Sequence, residues 1–278
     1  MTTASALLTT ATALLRAAGV ESARVDAELL LAHSLGVERS RLPVVEAVPP
    51  GAESAFAAAL ARRVLREPLQ HIVGHAPFRH LELAVGPGVF VPRPETELLV
   101  DAVLPTLRSV AEPTVVDLCA GSGALALAVA DEVRGARGYA VESAAAALDW
   151  LRRNTVGTSV QVVAADVRDP DLLVELRARV DAVLCNPPYV PATQRVGPEV
   201  RADPDDSVFG GPDGLDLMPA VAARAAQLLR PGGVVAIEHD DTHGESMPRL
   251  LTHLGCWRDV RAHRDLAGVP RYVTALRR

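Results

Sequence analysis

The sequence predicts an α/β fold, a doubly wound sheet covered by helices on both faces, preceded by a small helical bundle. Residues before Gly74 show helical periodicity only, whereas after Pro94 apolar strand candidates alternate with helical segments. Strands that alternate with helices pair in parallel, so we expect a parallel sheet. The five candidates are Thr114–Leu118, Gly138–Glu142, Val160–Ala164, Asp181–Cys185 and Gly233–Glu238. Two late candidates, Trp257–His263 and Arg271–Leu276, could add an antiparallel edge hairpin.

Three helices are predicted in the N-terminal region. Leucines at helical spacing mark the first helix, which ends at Gly19. Ser22 can cap the second helix, and Gly36 can end it. The third helix is predicted over Ala52–Arg66, after a pair of prolines. The pattern is typical of a small helical bundle.

An extended hairpin is predicted between the two regions. Apolar residues recur from Phe78 to Val85, a turn sequence follows at Gly86–Gly88, and Val89–Val91 is again apolar. The sequence therefore divides into a helical domain over residues 1–76, a β-hairpin linker over residues 77–92 and a sheet domain over residues 93–278.

The composition disfavours several classes of protein. The 28 Lys and Arg against 34 Asp and Glu give a formal net charge of −6, and aromatic residues make up only 3%. The charge disfavours bulk binding of nucleic acid but not a local basic groove, and the few aromatic residues disfavour a stacking platform for single strands. No cationic segment precedes the first apolar stretch, and no apolar run approaches the ~20 residues that span a bilayer. The three scattered cysteines fit a reducing cytoplasm. We therefore expect a cytoplasmic protein, and we also expect a monomer that binds neither membranes nor nucleic acid stably.

A glycine-rich turn follows the first strand of the sheet. Its residues are Cys119, Ala120, Gly121, Ser122 and Gly123. The glycines let the backbone approach a ligand, and the helix that begins near Ala124 offers free N–H groups. The turn is shorter than one that holds a pyrophosphate, which favours a nucleoside carrying an amino acid. Asp117, at the strand end, could bind the ammonium group directly or through water; the alternative is that the turn only packs helix on strand.

Acidic residues end the next two strands. Glu142 lies 25 residues after Asp117, where a doubly wound fold binds ribose hydroxyls. Asp166 could accept a hydrogen bond from the amino group of adenine, and Val167 could pack on the ring. The alternatives are an exposed helix-capping glutamate, and a solvated turn aspartate beside a core valine.

The most specific motif follows the fourth strand. It consists of Asn186, Pro187, Pro188 and Tyr189. The two prolines remove backbone donors, so the Asn186 side-chain oxygen and the backbone carbonyls remain as acceptors. An –NH2 group has two donors to satisfy, and Tyr189 offers a flat wall beside it. The alternative is a proline-rich turn without a ligand.

Together the motifs predict methylation of a nitrogen by S-adenosylmethionine, bound at the carboxyl ends of the strands. We expect no covalent enzyme intermediate and no metal. His239 and His243 could be taken as metal ligands, but the segment follows a strand and the imidazoles more simply line a loop. Cys119 and Cys185 are expected to be small buried thiols rather than a redox pair.

The chain resembles the bacterial protein-(glutamine-N5) methyltransferases of the HemK or PrmC family, which modify class I peptide-chain release factors. Five stretches carry the resemblance, in the family's order: Arg66–Gly74, Val91–Glu97, Asn186–Tyr189, Gly210–Leu215 and Asp265–Arg271. The resemblance implies a class I methyltransferase fold with a seven-stranded sheet whose last strand is antiparallel. The sequence departs from the family's pattern at Cys119, where many relatives have glycine, and at Val167, where some relatives have an aromatic residue.

The resemblance also implies the substrate, the glutamine of a Gly-Gly-Gln loop in a class I release factor. Asn186 and Pro187 would hold its amide through carbonyl oxygens, with Tyr189 packed against it. The glycine turn, Glu142 and the Asp166–Val167 pair would hold S-adenosylmethionine, which leaves as S-adenosylhomocysteine. The helical domain would help bind the protein substrate. A glutamine of a ribosomal protein and an exocyclic amine of adenine remain as alternative substrates.

Overall fold

The computed structural model describes residues 2–278, which form two compact units. Among the described residues, the helical unit comprises residues 2–75 together with residues 196–202. Its helices are α1 (Ala4–Ala17), α2 (Ala23–Leu35), α3 (Pro50–Val64) and α4 (Leu69–Val73), with a 3₁₀ turn at Arg39–Val44. Their apolar faces meet in one core, which contains residues such as Leu15, Leu30 and Phe56. The three predicted helices are confirmed, and their ends differ from the prediction by a few residues.

The ends of α2 show one prediction confirmed and one wrong. Gly36 ends the helix in the left-handed conformation, with φ +64°, as expected of a C-terminal glycine. Ser22 lies at the N-cap position, but its hydroxyl makes no capping bond with the backbone. It donates instead to Asp26 Oδ1 at 2.7 Å, because that carboxylate belongs to a buried ion pair.

Residues 196–202 belong to the helical unit through an ion-pair cluster. Arg63 binds Asp26 at 2.7 Å and Glu199 at 2.9 Å, and Arg66 binds Glu199 at 2.7 Å. The Arg63 and Asp26 side chains are each 6% exposed. Burial raises the pKa of Glu199, but the hydrogen bonds from Arg66 and Arg63 outweigh it and hold the pKa at about 2. Glu199 is therefore an anion that joins this loop segment to α3.

The sheet unit comprises residues 76–195 and 203–278. Its helices are α5 (Glu97–Leu107), α6 (Ala124–Glu132), α7 (Ala145–Thr155), α8 (Asp205–Val208), α9 (Met218–Leu228) and α10 (Ser246–His253). The strands, counted from the hairpin that opens the unit, are β1 (His75–Phe78), β2 (Leu81–Ala84), β3 (Thr114–Leu118), β4 (Arg137–Glu142), β5 (Val160–Ala164), β6 (Val180–Cys185), β7 (Leu229–Glu238), β8 (Trp257–Arg264) and β9 (Pro270–Arg277).

The main sheet has seven strands in the order β5-β4-β3-β6-β7-β9-β8. Strands β3 to β7 pair in parallel, and β9 pairs antiparallel with both β7 and β8. Only the last strand therefore runs against the others, as the resemblance implied. Val115 and Val116 in β3 belong to separate apolar clusters, because helices cover both faces of the sheet.

The predicted hairpin is in the wrong place. The two strands are His75–Phe78 and Leu81–Ala84, and the turn between them is Arg79-His80 rather than Gly86–Gly88. Val89–Val91 forms no strand, and its valines are buried beside Val85 and Ala147. Apolar burial alone produced the pattern that resembled a strand. The domain boundaries expected from the sequence stay a prediction.

No helix of residues 2–278 is long and apolar enough to cross a membrane.

Candidate active site

The carboxyl ends of four neighbouring strands bring the predicted site residues to one edge of the sheet. In the register, Leu118 of β3 pairs with Val141 of β4 and with Cys185 of β6, and Cys185 pairs with Ile237 of β7. The residues that directly follow or end these strands are therefore neighbours: Cys119, Glu142, Asn186 and Glu238. A crevice at this edge is the usual ligand site of an open α/β sheet.

The glycine turn combines two roles. Gly121 has φ +54°, and the nearest atom to a Cβ built there is Val89 Cγ2 at 4.0 Å, so the space before it is open. Gly123 has φ +91°, and a Cβ there would lie 2.7 Å from Leu151 Cδ1 in the core. Gly121 therefore permits the approach of a ligand. Gly123 instead permits close packing of the helix, which is the structural alternative stated above for the whole turn.

The other turn residues lie partly inside the protein. Ala120 and Ser122 are buried, and Ala120 N–H donates to the carbonyl of Val141 at 2.9 Å. Cys119 has φ +62°, a left-handed conformation that carries a steric cost of about 1–2 kcal/mol for a residue with a Cβ.

Asp117 is almost completely buried beneath the turn, with 1% of its surface exposed. Its Oδ2 accepts a hydrogen bond from the Ala126 N–H at 3.1 Å, and its Oδ1 makes none. Burial raises the pKa of Asp117 to about 8; the hydrogen bond from Ala126 opposes this, and the nearby Glu142 carboxylate adds to it. An ammonium group beside the unpartnered Oδ1 would oppose the effect of burial, because a nearby cation favours the charged carboxylate.

Glu142 is held firmly by backbone amides. Its Oε2 accepts from Gly121 N–H, and its Oε1 accepts from Ser143 N–H and Ala144 N–H, each at 2.8 Å. It ties the glycine turn to the residues that precede α7, and it is buried rather than exposed. Each carboxylate oxygen retains capacity for another hydrogen bond, so binding of ribose hydroxyls stays a prediction.

Asp166 and Val167 have the local geometry of the structural alternative. Asp166 is exposed, and its Oδ1 accepts from Arg168 N–H at 2.8 Å. Val167 is only 5% exposed and belongs to the apolar cluster beneath α9. Little of Val167 is therefore accessible to an adenine ring, although both residues directly follow β5. Their roles toward adenine stay predictions.

Asn186 is oriented by Thr96, a residue that sequence reasoning did not select. Asn186 Nδ2 donates to Thr96 Oγ1 at 3.2 Å, and Thr96 is buried. The amide NH2 group is thus engaged by the protein, which leaves Asn186 Oδ1 as the acceptor. The sequence did contain one signal for Thr96, because this residue lies inside the Val91–Glu97 stretch that carries the family resemblance.

Tyr189 is fixed by Glu238, a second residue that sequence reasoning left out of the site. The Tyr189 hydroxyl donates to Glu238 Oε1 at 2.7 Å. Burial raises the pKa of Glu238, while hydrogen bonds from Thr96 and Tyr189 and the charge of Arg271 oppose it. Burial and then the Glu238 charge raise the pKa of Tyr189 well above its ordinary value, so Tyr189 is a neutral donor. Glu238 therefore joins the residues behind Asn186 and Tyr189 into one network.

An ion pair between a partly exposed arginine and a buried carboxylate holds the segment that carries Thr96. Arg93 Nη2 binds Asp203 Oδ2 at 2.6 Å, and Asp203 Oδ1 accepts from Val91 N–H at 3.2 Å. Burial raises the pKa of Asp203 to about 6, although Arg93 opposes this effect. Asp203 thus anchors the chain just before Thr96.

The other sequence candidates have structural partners. His239 Nδ1 bonds the carbonyl of Asp240 and His243 Nε2 bonds that of Asp213, each at 2.8 Å. Within residues 2–278 no group of three or more potential ligands could hold a metal. Cys185 is fully buried, and burial raises its pKa well above the ordinary value, with a smaller contribution from the neighbouring Cys119.

Comparisons with known proteins identify the family. Residues 6–74 match the family model of the PrmC N-terminal domain, and residues 81–200 match that of the methyltransferase small domain. The chain is 52% identical to the release factor glutamine methyltransferase of Mycolicibacterium smegmatis, over 100% of this chain and 99% of that protein. The chain belongs to the release factor glutamine methyltransferase family. The Mycobacterium tuberculosis member is 47% identical, over 96% of this chain and 89% of its own.

Solved structures agree with the assignment of the family's fold. The 16S rRNA methyltransferase RsmC of T. thermophilus, in complex with AdoMet and guanosine, is 25% identical with a TM-score of 0.53, over 73% of this chain and 50% of that chain. The hMettl16 catalytic domain is 16% identical with a TM-score of 0.57, over 79% of this chain and 81% of that chain. At this identity the likeness shows the fold alone. The family resemblance and the methyltransferase fold predicted from sequence are confirmed, and both imply S-adenosylmethionine as methyl donor.

Proposed function

We propose that this protein transfers a methyl group from S-adenosylmethionine to the side-chain amide nitrogen (N5) of the glutamine in the Gly-Gly-Gln loop of a class I peptide-chain release factor. The orientation of Asn186 carries the proposal. Its NH2 group is bound to Thr96, so its oxygen is the group available to a substrate amide. The names of the relatives support a release factor as the protein that supplies this amide.

The residues at the sheet edge fit S-adenosylmethionine. The open space before Gly121 accommodates a ligand at the turn, and the unpartnered Asp117 Oδ1 suits its ammonium group. Glu142 would take the ribose hydroxyls, and Asp166, with Val167, would lie toward the adenine. The turn backbone from Cys119 through Ala120 and Ser122 to Gly123 completes the set of residues. The bound molecule supplies an electrophilic methyl group on a sulfonium.

The protein's own task is to place a poor nucleophile. The lone pair of an amide nitrogen is delocalised into its carbonyl, so orientation matters most. Asn186 Oδ1 and the Pro187 carbonyl would accept the two N–H groups of the glutamine, with Pro188 shaping the loop and Tyr189 packed on the amide plane. Alignment at near-attack distance can contribute roughly 7–11 kcal/mol. The same acceptors stabilise positive charge that develops on the nitrogen.

Methylation of purified release factor tests the proposal. The protein is incubated with labelled S-adenosylmethionine and release factor, and peptide mass analysis locates the methyl group. We expect one methyl group on the Gly-Gly-Gln glutamine, none after Gln→Ala in that loop, and a large loss of rate in Asn186→Ala. Labelling that survives the Gln→Ala change in the release factor contradicts the proposal.

The same assay separates the rival substrates. A ribosomal protein and duplex DNA are offered beside the release factor under identical conditions. Faster methylation of a ribosomal-protein glutamine assigns the chemistry to another protein. Methylation of adenine assigns the protein to nucleic-acid modification, which the net charge of −6 disfavours. We further propose that the protein is cytoplasmic and that it is a monomer; light scattering of the pure protein checks the second point.

A further inference from the structure

The loop between β8 and β9 lies at the catalytic edge of the sheet. β9 runs antiparallel to β7, and Tyr272 near its start pairs with Glu238 at the end of β7. The N–H of His239, the next residue, donates to the Arg271 carbonyl at 2.9 Å. Residues 265–269, which form the tip of this hairpin, are therefore beside the end of β7.

Asp265 makes this loop rigid. Its Oδ1 accepts from Ala267 N–H at 3.0 Å and Val269 N–H at 2.9 Å. Its Oδ2 binds the Arg271 guanidinium through Nε at 3.2 Å and Nη2 at 3.0 Å. A carboxylate with four such bonds, in a side chain only 6% exposed, fixes the loop in one conformation.

Arg271 connects the loop to the substrate side of the site. Its carbonyl accepts from His239 N–H at 2.9 Å, and the residue before His239 is Glu238, whose carboxylate accepts from the Tyr189 hydroxyl. The loop is therefore held in a fixed position relative to Tyr189. A protein whose glutamine reaches Asn186 approaches this same edge of the sheet.

The fixed loop exposes a leucine. Leu266 is 97% exposed, the largest exposure among the large apolar side chains of residues 2–278, and it belongs to no apolar cluster. A single exposed leucine on a mobile loop would be ordinary. Here the backbone is already ordered, so a partner that covers the side chain gains apolar burial without ordering the loop.

We propose that Leu266 is a docking contact for the protein substrate, and that it inserts into an apolar recess of the release factor beside the methyl-accepting loop. This rests on the proposed function, because that function requires a folded protein to approach this edge. Leu266 contributes affinity for the whole protein and takes no part in the chemistry, since it contacts none of the residues around Asn186.

The test compares Leu266→Ala with Leu254→Ala. Leu254 is also an exposed leucine, but it follows α10 and precedes the start of β8, at the opposite edge of the sheet. We expect Leu266→Ala to raise KM for release factor and its calorimetric Kd about tenfold or more, as loss of one buried leucine predicts. The rate at saturating release factor should be unchanged, and Leu254→Ala should match the parent.

Three outcomes overturn the inference. They are an unchanged KM and Kd in Leu266→Ala, an equal rise in Leu254→Ala, and a fall in kcat with KM unchanged, which would mean that the loop acts through Tyr189. Failure of the parent protein to methylate the release factor at all overturns the proposed function, and this inference with it. Methylation by the parent with normal Leu266→Ala kinetics overturns the inference alone.

Discussion

Replacing Thr96 by valine tests how Asn186 is oriented. Valine has nearly the volume of threonine, so the packing of this buried residue is kept while the acceptor for Asn186 Nδ2 is removed. Without it, the Asn186 amide can rotate and present NH2 instead of oxygen to the substrate amide. The NH2 group of Asn186 would then face the NH2 group of the substrate amide, and two groups that only donate hydrogen bonds repel one another.

The size of the effect follows from one hydrogen bond. Loss of a partner from a buried polar group costs about 1–3 kcal/mol, which corresponds to about 5- to 150-fold in rate when the loss falls on the transition state. We expect kcat for release-factor methylation to fall within that range in Thr96→Val. Thr96→Ser keeps the hydroxyl and should keep most of the rate.

The assay is initial-rate methylation at saturating S-adenosylmethionine, with release factor varied. Circular dichroism melting of both variants checks that the fold is intact, since Thr96 also contacts Glu238. A valine variant with the parental kcat refutes the argument. So does a serine variant as slow as the valine variant, because the hydroxyl then plays no part.

Three further predictions concern stability. Asp117 has a pKa of about 8 in the folded protein, against 3.8 for the ordinary group. Its contribution to the free energy of unfolding should therefore decline as pH rises from about 4 to 8. Asp117→Asn should remove that decline, which urea titrations at several pH values measure. Gly123→Ala should lower the free energy of unfolding by about 1–3 kcal/mol, because its φ is +91° and Leu151 Cδ1 is 2.7 Å from the new Cβ. Arg63→Ala should lower it by about 3–5 kcal/mol, since it leaves the buried Asp26 unpaired.

Each of these has a matched control. An Asp117→Asn variant whose pH profile equals the parent's contradicts the first. Gly157 also has a positive φ, +77°, but nothing lies within 4 Å of a Cβ there, so Gly157→Ala should cost less than Gly123→Ala. The exposed pair of Arg249 and Glu245 makes Arg249→Ala a control of at most about 1 kcal/mol; equal costs at Arg63 and Arg249 would contradict the burial argument.

Local patterns in the sequence identified the sheet and its functional edge. The five alternating strands, the glycine turn and the Asn186 loop were predicted within a few residues of their observed bounds. These features depend on side-chain period and turn chemistry, which neighbouring residues decide. The same reasoning failed at Val89–Val91, because buried valines in a loop have the composition of a strand.

Proximity across the chain was beyond sequence reasoning. Thr96 reaches Asn186 across 90 residues, and Tyr189 reaches Glu238 across 49. Arg63 and Glu199 are 136 residues apart, yet they place a loop segment in the helical unit. None of these contacts leaves a periodic signal in the sequence.

The sequence by itself determined the alternating strands and helices of the main sheet and which end of the sheet carries the ligand-binding loops, because periodicity and turn chemistry act locally. The tertiary structure alone decided which buried polar groups meet: Thr96 with Asn186, Glu238 with Tyr189, and Asp265 with Arg271. The physical reason is that strand order and helix packing set these distances, and a buried polar group must find its partner wherever the fold brings one.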